Sequence, residues 1–159
     1  MDQAALRAAT NCGLEIGGWC PPGKGSEAGV IPREFPLRET PHERSPHAPE
    51  VPRSQRTEWN VHDSDATLVM LAESVDNWSG CPTIFDAGTS WTIECARRYG
   101  RPLLVCDVND SKAKEEIQQW LNESQSKTLN VAGPSESESP GIGQKACALL
   151  KSVLTANGR

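Results

Sequence analysis

The feature that most constrains this chain is an apolar run, ATLVMLA at residues 66–72, framed by Asp63 and Asp65 before it and Glu73 after it. Such a run is too short for an ordinary helix. Bounded by charge, it reads as a strand buried on both faces, the pattern of a parallel α/β sheet. Downstream stand Ala87-Gly88-Thr89-Ser90 and then a segment with helical spacing that ends at Gly100. Gly88 lets a ligand approach the backbone. Thr89 or Ser90 is suited to cap the helix, whose first-turn N–H groups face the strand ends. A strand that delivers the chain to such a helix start is the usual way an α/β sheet builds an anion or nucleotide site.

The same alternation continues. Residues 103–106 (LLVC), ending at Asp107, and 128–132 (TLNVA), ended by Gly133-Pro134, read as two further strands. Helices are predicted over 54–62, with Ser54 at the cap and Arg56 and Asn60 on one face, over 90–99, and from Ser111 with Ile117, Trp120 and Leu121 inward. Ser139-Pro140 reads as a cap plus first-turn proline. The helix after it carries Ile142, Ala146, Leu149, Leu150 and Val153 at spacings of three and four. This β-α-β-α-β-α order predicts a Rossmann-like three-layer α/β sandwich with a mostly parallel sheet and right-handed crossovers. At the other end, Asp2 is a good cap for a helix that stops at Asn11 and Gly13, and residues 14–19 (LEIGGW) read as a brief strand. Residues 73–86 read as loop.

Residues 20–53 form a long loop in which eight of the chain's twelve prolines fall. So many prolines remove donors and forbid helix interiors. With Lys24, Arg33, Arg38, Arg44 and Arg53 the loop is basic within an acidic protein. Two readings stand: a lid over an anionic ligand, or a solvated surface loop, mobile from 42 to 50.

At 159 residues the chain is expected to be one domain, 1–159, able to bury a real core. A net charge of −5 without a block of Lys or Arg argues against nucleic acid and against an anionic membrane surface. No apolar run approaches a membrane span, and no basic-then-apolar leader opens the sequence, so a cytoplasmic location is expected. Six cysteines, at 12, 20, 81, 95, 106 and 147, are too scattered for a zinc site and read as reduced thiols. G-x-S-x-G, H-E-x-x-H and P-loop strings are absent, and no metal site is expected. Three loops would meet at the strands' C-terminal edge: Gly88-Thr89-Ser90, the segment after Asp107, and Gly133-Pro134-Ser135-Glu136-Ser137. Ordinary βα turns use the same residue types. Glu94 is the best placed acid for general acid/base work beside a ribose; His42, His47 and His62 are not read as catalytic.

Several segments together resemble one family, the molybdenum carrier (molybdenum cofactor carrier-like) proteins, a Rossmann-like branch of the SLOG superfamily. They are Asp2-Gln3-Ala4-Ala5-Leu6, Gly18-Trp19-Cys20-Pro21 with Gly23-Lys24, residues 29–32, Arg56-Thr57 with Asn60-Val61, Asp63-Ser64-Asp65, Gly88-Thr89 with Thr92, residues 129–137 (LNVAGPSES), and Pro140-Gly141-Ile142. The resemblance spans nearly the whole chain in order, and LNVAGPSES is its most specific part. It implies a molybdenum cofactor (molybdopterin) or nucleotide as ligand, and often a homo-oligomer. On this reading Gly88, Thr89, Ser90, Thr92, Gly133, Pro134, Ser135 and Glu136 surround a phosphate, Arg56 and Lys24 supply charge, Asn60 lies beside them, and Trp19 stacks on a ring.

Two departures from the family pattern stand out. The family opens with a strand and a Gly-Gly-Gln-Thr-Gly-(Val or Ala)-Asp loop, whereas this sequence starts at Met1-Asp2, where that loop ends. The expectation is a start misassigned at a GTG codon, with a shortened gene as rival. As given, the sheet would lack its first strand and be poorly stable as a monomer. Second, Ala87 replaces a glycine and Asp86 brings a negative charge to the helix start. The alternatives to a binding protein are a nucleotide-processing, phosphoribohydrolase-like enzyme using Glu94, or an inactive truncated member. Thr89 and Glu94 are separated by four residues where the enzymes' string has two, which counts against the enzyme.

Overall fold

The computed structural model describes residues 1–72 and 86–156. The loop expected over 73–86 therefore lies, except for Asp86, outside the described residues, as does Cys81. In chain order the elements are α1 (Asp2–Asn11), β1 (Trp19–Cys20), a 3-10 turn (Pro22–Lys24), β2 (Gly25–Ser26), β3 (Gly29–Val30), β4 (Arg38–Glu39), α2 (Ser54–His62), β5 (Ala66–Leu71), α3 (Ala87–Arg98), β6 (Leu103–Asp107), α4 (Ala113–Ser124), β7 (Leu129–Ala132) and α5 (Ile142–Ala156).

The main sheet is parallel, in the order β6-β5-β7. Leu68 faces Leu104 on one side and Val131 on the other. All six residues of β5 are buried. Alternation along the strand divides them between two cores. Leu68 and Met70 pack with Ala8 of α1, Ile117 of α4, and Ala146, Leu150 and Val153 of α5. Val69 and Leu71 face the other way, onto Ile93 of α3. Beyond them Val61 of α2 packs with Trp91, Cys95 and Ala96. The result is the expected three-layer Rossmann-like sandwich: α1, α4 and α5 on one face, α2 and α3 on the other.

Asp63 and Asp65 lie at the entry to β5 and are structural. Asp65 accepts the N–H groups of Lys127 and Thr128, at 3.0 and 2.8 Å, tying the start of β7 to the start of β5. Asp63 accepts the Trp19 indole N–H at 2.8 Å. Of residues 14–19 only Trp19 is strand; β1 pairs in parallel with β4 instead of joining the main sheet.

The helix starts differ from the sequence reading. Asp86, not Thr89 or Ser90, caps α3, its carboxylate accepting the Thr89 N–H at 2.9 Å. Arg53, in a left-handed conformation, precedes α2 where Ser54 was expected to cap. Ser54 instead donates to the Ala48 carbonyl and accepts the Ser45 N–H, both at 2.8 Å. Around α5, Glu136 accepts the N–H groups of Gly141 and Gly143, the role expected of Ser139. At α3 and α5 a carboxylate takes the place expected of the hydroxyl, whereas at α2 the Ser54 hydroxyl is spent on the 45–48 loop.

The proline-rich segment is tied to α2 over 42–50. Its anchor is Glu58, a buried carboxylate on α2. Ser45 donates to it, His47 Nδ1 lies 2.9 Å away and Tyr99 donates its hydroxyl at 2.6 Å. Burial by itself raises the Glu58 carboxyl, but the hydrogen bonds from Ser45, Tyr99 and His47 outweigh it and hold it below its ordinary value of 4.5. Burial, then the bond to Glu58, pushes the Tyr99 hydroxyl up to about 12. Cys95 and Cys106 are likewise pushed up to about 12 by burial and behave as small apolar side chains.

Because the Glu58 carboxyl is lowered on folding, its contribution is complete above pH 4.5 and is lost as pH falls through the lower, folded value. Glu58→Gln is expected to cost about 1–3 kcal/mol at pH 7 and to flatten the stability profile below pH 4.5. Urea unfolding at pH 7, 5, 4 and 3 measures both; an unchanged acid limb in the variant contradicts this account.

Candidate functional site

The parallel order places the exits of β5, β6 and β7 along one edge. At that edge the loop after β7 crosses the end of β5, and Gly133 makes the crossing possible. A Cβ on it would lie 2.3 Å from the Met70 carbonyl oxygen and 2.9 Å from the Met1 side chain. Only glycine lets the two backbones touch. The loop beyond, 134–141, is half-buried at Pro134 and Ser135 and exposed at 136–138.

Its donors point at carboxylates. Glu138 receives the Ser135 N–H at 3.3 Å and hydroxyl at 2.9 Å, and Ser137 lies 3.1 Å from the same hydroxyl. Glu136 turns its carboxylate toward the start of α5. The N–H groups of Glu136 and Ser137 bind an acid from far away in sequence: Glu27, at 3.2 and 3.0 Å. Glu27 stands at the tip of the β2–β3 hairpin, within the proline-rich segment. The N-terminus of α1 closes the site's other wall. Asp2 pairs with Arg56 of α2, and Gln3 donates to Ser26 of the hairpin at 3.2 Å. Desolvation raises the Asp2 carboxyl, but the Arg56 guanidinium and the N-terminal ammonium together keep it lowered. Arg56 Nε is buried without a hydrogen-bond partner.

The second loop, after β6, closes on itself: Asp107 accepts the Asn109 N–H at 2.8 Å, and Asn109 receives the Lys145 ammonium at 2.7 Å. At the start of α3, Gly88 is half-buried, Thr89 and Thr92 are buried, and both hydroxyls stay within the helix turn. Thr89 donates to Asp86 and Thr92 to the Gly88 carbonyl at 2.9 Å.

The expected residues therefore divide. Gly133 approaches Met1 and Arg56 pairs with Asp2 at the N-terminus of α1. Pro134, Ser135 and Glu136 follow in the loop from Gly133, and Lys24 stands at the foot of the hairpin whose tip reaches that loop. Trp19 and Asn60 sit together toward the C-terminal end of α2, which leads into the start of β5. The Asn60 side chain bonds the Trp19 N–H at 2.8 Å and carbonyl at 3.0 Å, and a Cβ on Gly18 would meet Asn60 at 2.8 Å. The Trp19 ring packs edge-on to Trp59 and lies under the Arg38 guanidinium, 4.1 Å from its centroid. Glu94 is about 10 Å along α3 from its first residue and pairs with Arg98 at 3.1 Å. Glu27 and Asp2 were missed as site residues, since nothing local marks an acid whose partners lie over a hundred residues, or in the next layer, away. A separate groove of about 730 Å³, lined by Leu14, Ile16 and Phe35 among others, opens near the C-terminal end of α1.

A parallel sheet covered by helices on both faces, with amide-rich loops at its C-terminal edge, defines a Rossmann-like ligand-binding protein. The chain belongs to the circularly permutated YpsA SLOG family, whose model matches residues 1–154. It is also similar to the crystal structure of a "Putative molybdenum carrier protein" from Syntrophus aciditrophicus SB, with 31% sequence identity and a TM-score of 0.81 over 96% of this chain and 87% of that one. A search of curated protein sequences matches none to this chain. Among the described residues no three His, Cys, Asp or Glu side chains gather to hold a metal ion, and no helix is long and apolar enough to cross a membrane.

Gly133→Ala is expected to force the β7 exit loop off β5 and to cost roughly 1–3 kcal/mol. Denaturant titration measures it; a change below about 0.5 kcal/mol, the range of ordinary surface substitutions, would show that the crossing yields without strain.

Proposed function

We propose that the chain binds a small phosphorylated molecule, a pterin-type cofactor or a nucleotide, at the C-terminal edge of its sheet. One observation carries the reading: the backbone amides of Glu136 and Ser137 already hold a carboxylate in the seat a phosphate would take. Amide N–H groups and hydroxyls presented together are the usual recognition elements for an anion in this fold. Gly133 brings the phosphate close to the backbone, Ser135 and Ser137 add hydroxyls, and Arg56 adds positive charge. Gly88, Thr89 and Ser90 form the facing rim at the end of β5. The donor set suits the phosphate of molybdopterin as well as that of a nucleotide, and it contains no metal-ligating triad among the described residues. The name of the similar crystal structure favours the pterin.

Mass spectrometry of the native protein, purified and then denatured, tests the reading. A released phosphorylated pterin or nucleotide is expected. Ser135→Ala is expected to weaken re-binding of that molecule about tenfold, the cost of one hydrogen bond to a charged group. A protein that purifies empty and takes up neither AMP nor a pterin monophosphate at millimolar concentration overturns it.

A further inference from the structure

The hairpin that carries Glu27 is anchored at its base and exposed toward its tip. Its base is fixed: the Ile31 N–H bonds the Lys24 carbonyl at 2.8 Å, and Ile31 is buried with Cys20 and Phe35. Its arms are not. Gly25, Glu27, Ala28, Gly29 and Val30 are exposed, Val30 to 76%. A Cβ on Gly25 or Gly29 would meet nothing within 4 Å. The tip is held to the rest of the molecule by the two amides on Glu27 and by the bond from Gln3 to Ser26. A loosely packed tip that spends its carboxylate on an amide pair suited to a phosphate is a competitor for that seat.

Resting on the phosphate-binding reading above, we propose that Glu27 is a built-in competing anion: the β2–β3 hairpin closes over the empty site with its carboxylate on the Glu136 and Ser137 amides, and an arriving phosphate displaces it. The chemistry favours the exchange. Both anions accept the same two N–H groups, and a phosphate carries more charge and a further acceptor oxygen. The Ser137 hydrogen bonds hold the Glu27 carboxyl below the ordinary carboxylate range, so it is charged at neutral pH. Unoccupied, the docked carboxylate keeps the amides satisfied. Occupied, it would stand beside the phosphate as a like charge, so the hairpin must swing out. Apparent affinity is then reduced by the fraction of molecules in which the hairpin is docked.

Glu27→Gln keeps the size of the side chain and removes its charge. Two measurements on the full chain test the proposal. Hydrogen exchange at the amides of Glu136 and Ser137, without ligand, is expected to be faster in the variant. Titration with inorganic phosphate at constant ionic strength, followed by the NMR shifts of the 135–137 amides, is expected to show about tenfold tighter binding in the variant, as for a tip docked roughly nine-tenths of the time. Glu27→Asp reports reach: its shorter carboxylate is expected to fall between the two. Unchanged exchange, or equal phosphate affinity in wild type and Glu27→Gln, overturns the competing anion and leaves the phosphate site standing. Weaker binding in Glu27→Gln makes Glu27 a ligand contact and also overturns it. If phosphate moves the amides of neither protein, the phosphate site itself is wrong and the competitor falls with it.

Discussion

The burial of β5 on both faces and its pairing on both edges is the constraint from which the rest follows. A strand with no wet face satisfies its polar backbone only through neighbouring strands, and its side chains only through layers of helix. β6 and β7 supply the first, in parallel register. Leu68 and Met70 draw α1, α4 and α5 to one side, while Val69 and Leu71 draw α3, with α2 behind it, to the other. Parallel pairing sends all three strands out at one edge, so the loops that leave them become neighbours. The contact between Gly133 and the Met70 carbonyl is the closest expression of that crowding.

At the same edge the chain faces the problem of N–H groups without intrahelical partners. Helix starts and tight loops concentrate such donors and their partial positive charge. Acids answer it, among them Asp86 at α3, Glu136 at α5, and Glu27 across the 136–137 amides. Their side chains sit where an anionic ligand would be recognised. In this acidic protein the carboxylates at that edge meet oriented backbone N–H groups, and Arg56 meets Asp2.

How far the fold was legible follows from the range of the forces involved. The three strands of the main sheet and the stripe of α5 could be read directly, since apolar runs and spacings of three and four report burial within a few residues; the two-residue strands β2, β3 and β4, inside what reads as loop, could not. The 54–62 helix matched to the residue. The caps were read less well: hydroxyls at Thr89, Ser54 and Ser139 were locally plausible, yet carboxylates cap α3 and α5, and Ser54 bonds the 45–48 loop instead. Residues 42–50 looked mobile because proline content is local, while the buried acid that fastens them, Glu58, lies on a helix that follows. Trp19 and Asn60 bond each other one turn beyond Arg56 on α2, a pairing across forty-one residues that no local pattern announces.

The sequence by itself determined the layers and the parallel sheet, because hydrophobic periodicity encodes which faces must leave water. It also marked Gly88 and the loop from Gly133 to Ser137 as backbone-rich turns after strands. Only the tertiary structure decided which donors at those turns are in use and by whom. A hydrogen bond between Glu27 and Ser137 leaves no periodic trace in the chain; it exists because two folded segments bring a carboxylate and an amide within 3.0 Å.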